Sequence, residues 1–180
     1  MNAQNPSLAS QWARAGAMFS ADPAPASPDL ERLILDTARM GRSDPRLFIM
    51  AATWLARYGE MICVPRLTGL IENDLEAEHR PTIGVLLDFA QHLSPDSPPH
   101  FGAALVACAP ATEPHPLFDV ERLNSTLERL AERSASPISR RWNLWAREFA
   151  PKFDALRPLS WIIRENPEYR SRMVVADTNS

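Results

Sequence analysis

The chain has 180 residues, 45% of them hydrophobic and 23% charged, and a formal net charge of −3. This is ordinary globular composition, long enough for one domain to bury a core without disulfide or metal staples, and it excludes a protein that coats nucleic acid with its whole surface. No apolar run reaches membrane-spanning length, and the opening "MNAQNPSLASQWARAG" lacks a basic start followed by an apolar stretch, so a cytoplasmic location and no membrane partner are expected.

Residues 1–27 hold a helical piece around Leu8 to Phe19, then the Pro/Ala linker "SADPAPASP". They are expected to form a flexible, loosely tied arm. "SPDLERLILDTARMG" reads as a helix capped by Ser27, begun by Pro28 and stopped at Gly41. Its Leu30, Leu33, Ile34 and Ala38 fall on one face. "SDPRLFIMAATWLARYG" repeats this grammar with Asp44, Pro45 and Gly59, and buries Phe48, Ala51, Ala52 and Leu55 with Trp54 beside them.

A short helix is expected near 64–73 and another near 81–93. The continuous apolar run Ile83, Val85, Leu86, Leu87, Phe89 in the second predicts burial on more than one side. A Pro-rich break surrounds a short apolar segment, Phe101 to Cys108. "FDVERLNSTLERLAER" follows as an amphipathic helix with Val120, Leu123, Leu127 and Leu130 inward. "SPISRRWNLWAREFA" is expected to be one further helix, and "LRPLSWIIRENPEYRSRM" a short apolar helix with a basic end.

The fold class is therefore all-α, an irregular multi-helix bundle over residues 28–173 with a tail at 174–180. Pro45, Pro81, Pro116 and Pro151 recur at intervals of 36, 35 and 35 residues, which leaves stacked helical hairpins, as in a solenoid, as the alternative.

Catalytic and metal-binding motifs are missing. Cys63 and Cys108 lie far apart among apolar neighbours and read as buried free thiols. His79 sits near Asp74, Glu76 and Glu78, but alternating acids between helices more often form a solvated face than a metal or acid–base site. There is no Gly-x-Ser-x-Gly, and Lys152 lies in no phosphate-binding loop. Neither an enzyme activity nor a cofactor is expected.

Two binding surfaces are candidates. "AATWLARYGEMICVPRLTGLI" has the outline of a helix-turn-helix, in which Arg66 and Thr68 on the second helix would contact DNA. The charge distribution favours the other end of the chain. Residues 133–172 hold nine Lys/Arg against four Asp/Glu, whereas residues 1–132 hold ten against seventeen. Within this basic region, Ile138, Trp142, Trp145 and Phe149 fall at i, i+4, i+7 and i+11 of the expected helix. Those aromatics either pack against Leu156, Leu159, Trp161 and Ile162 or meet a partner. Tryptophan and arginine are enriched at binding hot spots. The partner surface is expected to comprise Arg140, Arg141, Trp142, Trp145, Arg147, Trp161 and Arg164.

"LRPLSWIIRENPEYRSR", with its Trp-containing helix, its break at Asn166 and Pro167, and then Arg170 and Arg172, together with "FIMAATWLARYGEMICVPRL", is similar to small bacterial proteins found beside AbiEii-type nucleotidyltransferase toxins. The resemblance covers about a third of the chain. It implies an antitoxin-side or regulatory protein that acts by binding a protein partner such as a toxin, with DNA contact as a second mode. The winged-helix strand pair that many such antitoxins carry has no counterpart here. The sequence thus predicts a non-enzymatic interaction protein, with a helix-turn-helix transcriptional regulator as the alternative.

Overall fold

The computed structural model describes residues 6–19, 21–94, 99–119 and 125–174, and it is 63% helix and 4% strand. Helix α1 spans Leu8–Arg14, capped by the Ser7 side chain. Helix α2, Leu30–Met40, is capped by Asp29, two residues later than the Ser27 start expected from sequence. Helix α3, Pro45–Tyr58, begins as expected: the Asp44 carboxylate accepts from the N–H groups of Arg46 and Leu47, and Pro45 supplies a first-turn residue with no N–H to satisfy. Helices α4, Val64–Asn73, and α5, Arg80–Leu93, also open on prolines. Every expected core residue of α2 and α3 is buried, and α5 is buried from Pro81 through Ala90. Helices α3 and α5 pack along each other, with α2 against both. The architecture is an all-α multi-helix fold.

The N-terminal residues differ from the expected arm. Trp12 on α1 is fully buried; its indole N–H donates to Thr37 Oγ1 at 2.9 Å, and its ring meets Trp54 edge-on at 5.5 Å. Trp54 in turn donates to the Ala15 carbonyl at 2.8 Å. The described part of residues 1–27 is thus tied into the core by Thr37 of α2 and Trp54 of α3, partners that local sequence cannot reveal.

Glu31 is also fully buried, a position carboxylates occupy only when paired. Its oxygens accept from the Cys63 N–H at 2.8 Å, from Arg66 at 3.3 Å and from both terminal nitrogens of Arg172. One carboxylate therefore joins α2, the start of α4 and helix α10, Arg170–Val174. The Arg172 guanidinium is correspondingly held above its ordinary pKa: burial works against its charge, but the bonds to Glu31 outweigh that.

The second half of the chain is less regular. Helix α6, Gly102–Ala107, packs on α4. Strand β1, His115–Pro116, pairs in parallel with strand β2, Leu144–Trp145, in a two-strand ribbon that periodicity did not suggest. Helix α7 covers Ser125–Ser134. Of its expected inward residues, Val120 and Leu123 lie outside the described residues, as do the Leu127 side chain and residues 175–180 of the expected tail. Leu130 is not inward; it is 51% exposed.

The expected helix across 136–150 is broken. Helix α8 is only Pro137–Arg141, and Asn143 takes the left-handed φ of 54° that asparagine tolerates better than most residues. The Asn143 side chain donates to the Ala111 carbonyl at 2.7 Å, fixing the turn. Beyond it, Ala146 is fastened to the start of α8: the Ser136 N–H and Ser139 hydroxyl both donate to its carbonyl, at 2.8 and 2.9 Å. Helix α9, Leu159–Glu165, completes the bundle against α1. Pro45 and Pro81 open helices, but Pro116 lies in β1 and Pro151 in an irregular connection. The proline spacing therefore marks no single repeated unit along the chain, although α2, α4 and α6 stack in one row and α3 and α5 in another.

Gly84 on α5 is required by this packing. A Cβ there would lie 2.5 Å from the Trp142 ring. Gly84→Ala is expected to lower stability by about 1–3 kcal/mol, the usual cost of overpacking a core. Urea titration checks this; the midpoint should fall at constant slope, and an unchanged midpoint would show that Trp142 is not seated there.

Candidate functional site

The seven residues expected to form one basic aromatic surface do not share a face. Trp142 is core: it is 7% exposed, its ring lies on Gly84, and its indole N–H donates to Asp88 Oδ2 at 3.0 Å. Arg141 pairs with that same carboxylate at 3.0 Å. Arg140 turns back onto α7, donating to the carbonyls of Glu132 at 2.6 Å and Ala135 at 3.1 Å. A guanidinium at a helix C-terminus satisfies carbonyls that have no intrahelical donor. Arg164 pairs with its neighbour Glu165 at 3.1 Å, and Trp161 on α9 lies beneath the Arg157 guanidinium, 5.5 Å away.

Trp145 and Arg147 do come together. They line an apolar groove of about 450 Å3. Its floor is the two-strand ribbon. Beyond the Asn143 turn Leu144 and Ala146 are buried, and the run from Trp145 to Phe149 lines the groove together with Pro116 of the other strand and Phe118 just past it. One wall is α7, through Leu130, Ala131 and Ser134; Ile49 of α3 contributes from below. The floor is anchored, because Phe149 packs on Phe89 at 4.9 Å and Phe118 meets Phe48 edge-on at 5.6 Å.

The five tryptophans divide by hydrogen bonding: Trp145 and Trp161 have no acceptor for the indole N–H among the described residues, and the other three do. Trp12, Trp54 and Trp142 each donate their indole N–H to a protein acceptor. Trp145, half-buried at the groove, has no acceptor among the described residues, and neither Arg147 nor Glu148 beside it has an ion pair there. Buried indoles usually find an acceptor. An indole, an exposed arginine and an exposed leucine thus converge on an apolar trough.

Leu130, Phe118 and Ile49 were missed as site residues, since they come from three distant segments. One local signal was available: Trp145, Arg147 and Phe149 also sit at i, i+2 and i+4, the strand period, with the turn-tolerant Asn143 just before them.

The helix-turn-helix residues are engaged elsewhere. Arg66 pairs with Asp29 and with buried Glu31, and the Thr68 hydroxyl donates to the Val64 carbonyl of its own helix at 2.9 Å. Around His79, Arg32 pairs with Asp74, Arg39 pairs with Glu76, and Glu78 stands 3.5 Å from the imidazole. The Arg39 guanidinium holds the Glu76 carboxyl below its ordinary pKa. Among the described residues no three His, Cys, Asp or Glu side chains are grouped to hold a metal ion. The two cysteines are free, but only Cys108 is sheltered as expected; burial pushes its thiol up to about 12, whereas Cys63 is exposed.

This division gives a direct expectation. Trp142→Ala should cost about 3–5 kcal/mol, as for other buried aromatics. Trp145→Ala should cost much less, since only part of its area is lost from the core. Equal losses in parallel denaturation curves would mean that the groove indole is as much a core residue as its neighbour.

Set beside known protein families, curated proteins and solved structures, the chain matches none. Function is therefore read from the groove's own geometry.

Proposed function

We propose that this protein is a non-enzymatic interaction protein that binds a protein partner in the groove centred on Trp145, and that the partner is of the kind an antitoxin-like regulator would hold. The observation that supports this reading is the convergence at the groove of Trp145, whose indole has no acceptor among the described residues, Arg147 without an ion pair among them, and half-exposed Leu130. Aromatic and arginine anchors in a desolvated pocket supply most of the energy of typical protein interfaces. The surface is smaller than expected from sequence: Trp142, Arg140 and Arg141 contribute by shaping it, through the Asp88 and α7 contacts described above. A DNA-reading role for Arg66 and Thr68 has no observation in its favour.

Site-specific photocrosslinking tests the proposal. A benzophenone side chain at position 130, beside the groove, is compared with one at position 106, where Val106 is 85% exposed on α6. The expected result is a discrete partner adduct from position 130 only, lost when Trp145→Ala is added. Identical adducts from both positions, or none from 130, would contradict it.

A further inference from the structure

A groove can receive a partner's backbone as an added strand or its side chains from a helix. The hydrogen bonds around the groove distinguish these. In the ribbon, the His115 N–H donates to Asn143 O at 3.2 Å and the Leu117 N–H to Trp145 O at 3.2 Å, so the polar backbone of 115 and 117 faces β2. Pro116 between them turns toward the outer edge and has no N–H to offer. Proline on an edge strand blocks further pairing. On the far edge of β2, the Ala146 N–H already donates to Ser139 Oγ at 3.2 Å, and its carbonyl accepts from the Ser136 N–H and the Ser139 hydroxyl. Proline removes a donor from one edge and the start of α8 covers the other, so an added strand is disfavoured on both sides.

The groove therefore takes side chains. Its floor run from Trp145 to Phe149 is four strand steps, about 13 Å at ~3.3 Å each. Two turns of helix, from i to i+7, cover about 10 Å. The rim charges are Arg147 and Glu148, both exposed and both without an ion pair among the described residues. A helix that carries an acid and a base about one turn apart, flanking its apolar stripe, matches that pair and can offer an acceptor to the Trp145 indole.

We infer that the occupant is a single amphipathic helix of the partner protein, inserting apolar side chains at i, i+3 or i+4, and i+7 between α7 and the ribbon, with an acidic residue against Arg147. This inference rests on the groove being the docking site.

The probe is a displayed library of 18-residue peptides in two halves, one patterned on helical and one on strand periodicity, selected against the full chain. Binding is then measured by fluorescence anisotropy. Helical peptides with an apolar stripe and a flanking acid are expected to be enriched. Trp145→Ala and, as a second groove variant, Leu130→Asp are each expected to weaken them about ten-fold or more, with unfolding midpoints confirming that the variants fold. Arg147→Glu is expected to weaken them similarly, and replacing the peptide's acid with arginine to restore binding to that variant. Enrichment of strand-patterned peptides, or helical binders indifferent to Arg147→Glu, overturns the inference while the Trp145 dependence still supports the groove. Selection yielding no Trp145-dependent peptide at all overturns both.

Discussion

The seat of Trp142 on α5 determines what the C-terminal half presents. The indole lies on Gly84, where no side chain could be accommodated, and its N–H reaches Asp88. Helix α8 ends at Arg141, the chain turns at Asn143, and the run from Trp145 to Phe149 lines the groove. Trp142 is thus seated in the core while Trp145, three residues on, lies at the groove. The same Asp88 carboxylate accepts Arg141, so a cation that seemed free for a partner neutralises a mostly buried acid. Arg141 itself is 66% exposed, so water screens its side of this pair, and the Trp142 indole is the other donor that holds the acid in place.

Elsewhere the fold follows the same rule, with polar groups inside the protein joining segments distant in sequence. Glu31 gathers donors from the start of α4 and from α10. Tyr169 donates to the Pro28 carbonyl at 2.6 Å, Asn166 to Arg14, and Arg14 to Glu165. Burial holds the Tyr169 phenol above its ordinary pKa, so it remains a donor. These bonds close the C-terminal segment over α1 and α2. Arginine suits the task, since a guanidinium offers five donors in a rigid fork. Much of the chain's arginine content is spent on internal ties of this kind.

Helices α2 to α5 were legible because their signals are local. Asp44 with Pro45 starts α3, the turn residues before Arg80 and Pro81 start α5, and apolar spacing marks the buried faces. The break at Asn143 was not legible from a helical period, because Ile138, Trp142, Trp145 and Phe149 satisfy that period while the chain obeys another. What decides between them is the fit of one indole to one glycine 58 positions earlier, a tertiary match. Likewise Trp12 looked like part of a loose arm until Thr37 and Trp54 supplied its partners. The candidate site was half legible. Trp145 and Arg147 stood out by residue type, but the wall and floor from Leu130, Phe118 and Ile49 appear only once the ribbon and α7 are in place. Arg66 shows the converse: its position in a helix-turn-helix outline suggested DNA, and its carboxylate partners were not visible from the outline.

The account depends on two indoles three residues apart having opposite environments. Hydrogen–deuterium exchange of their side-chain N–H groups, followed by NMR on the free protein, tests this most directly. The Trp142 indole N–H, bound to Asp88 in the core, should exchange slowly, and that of Trp145 should exchange near the rate of an exposed indole. Comparable protection of both would contradict the assignment of one to the core and the other to the groove.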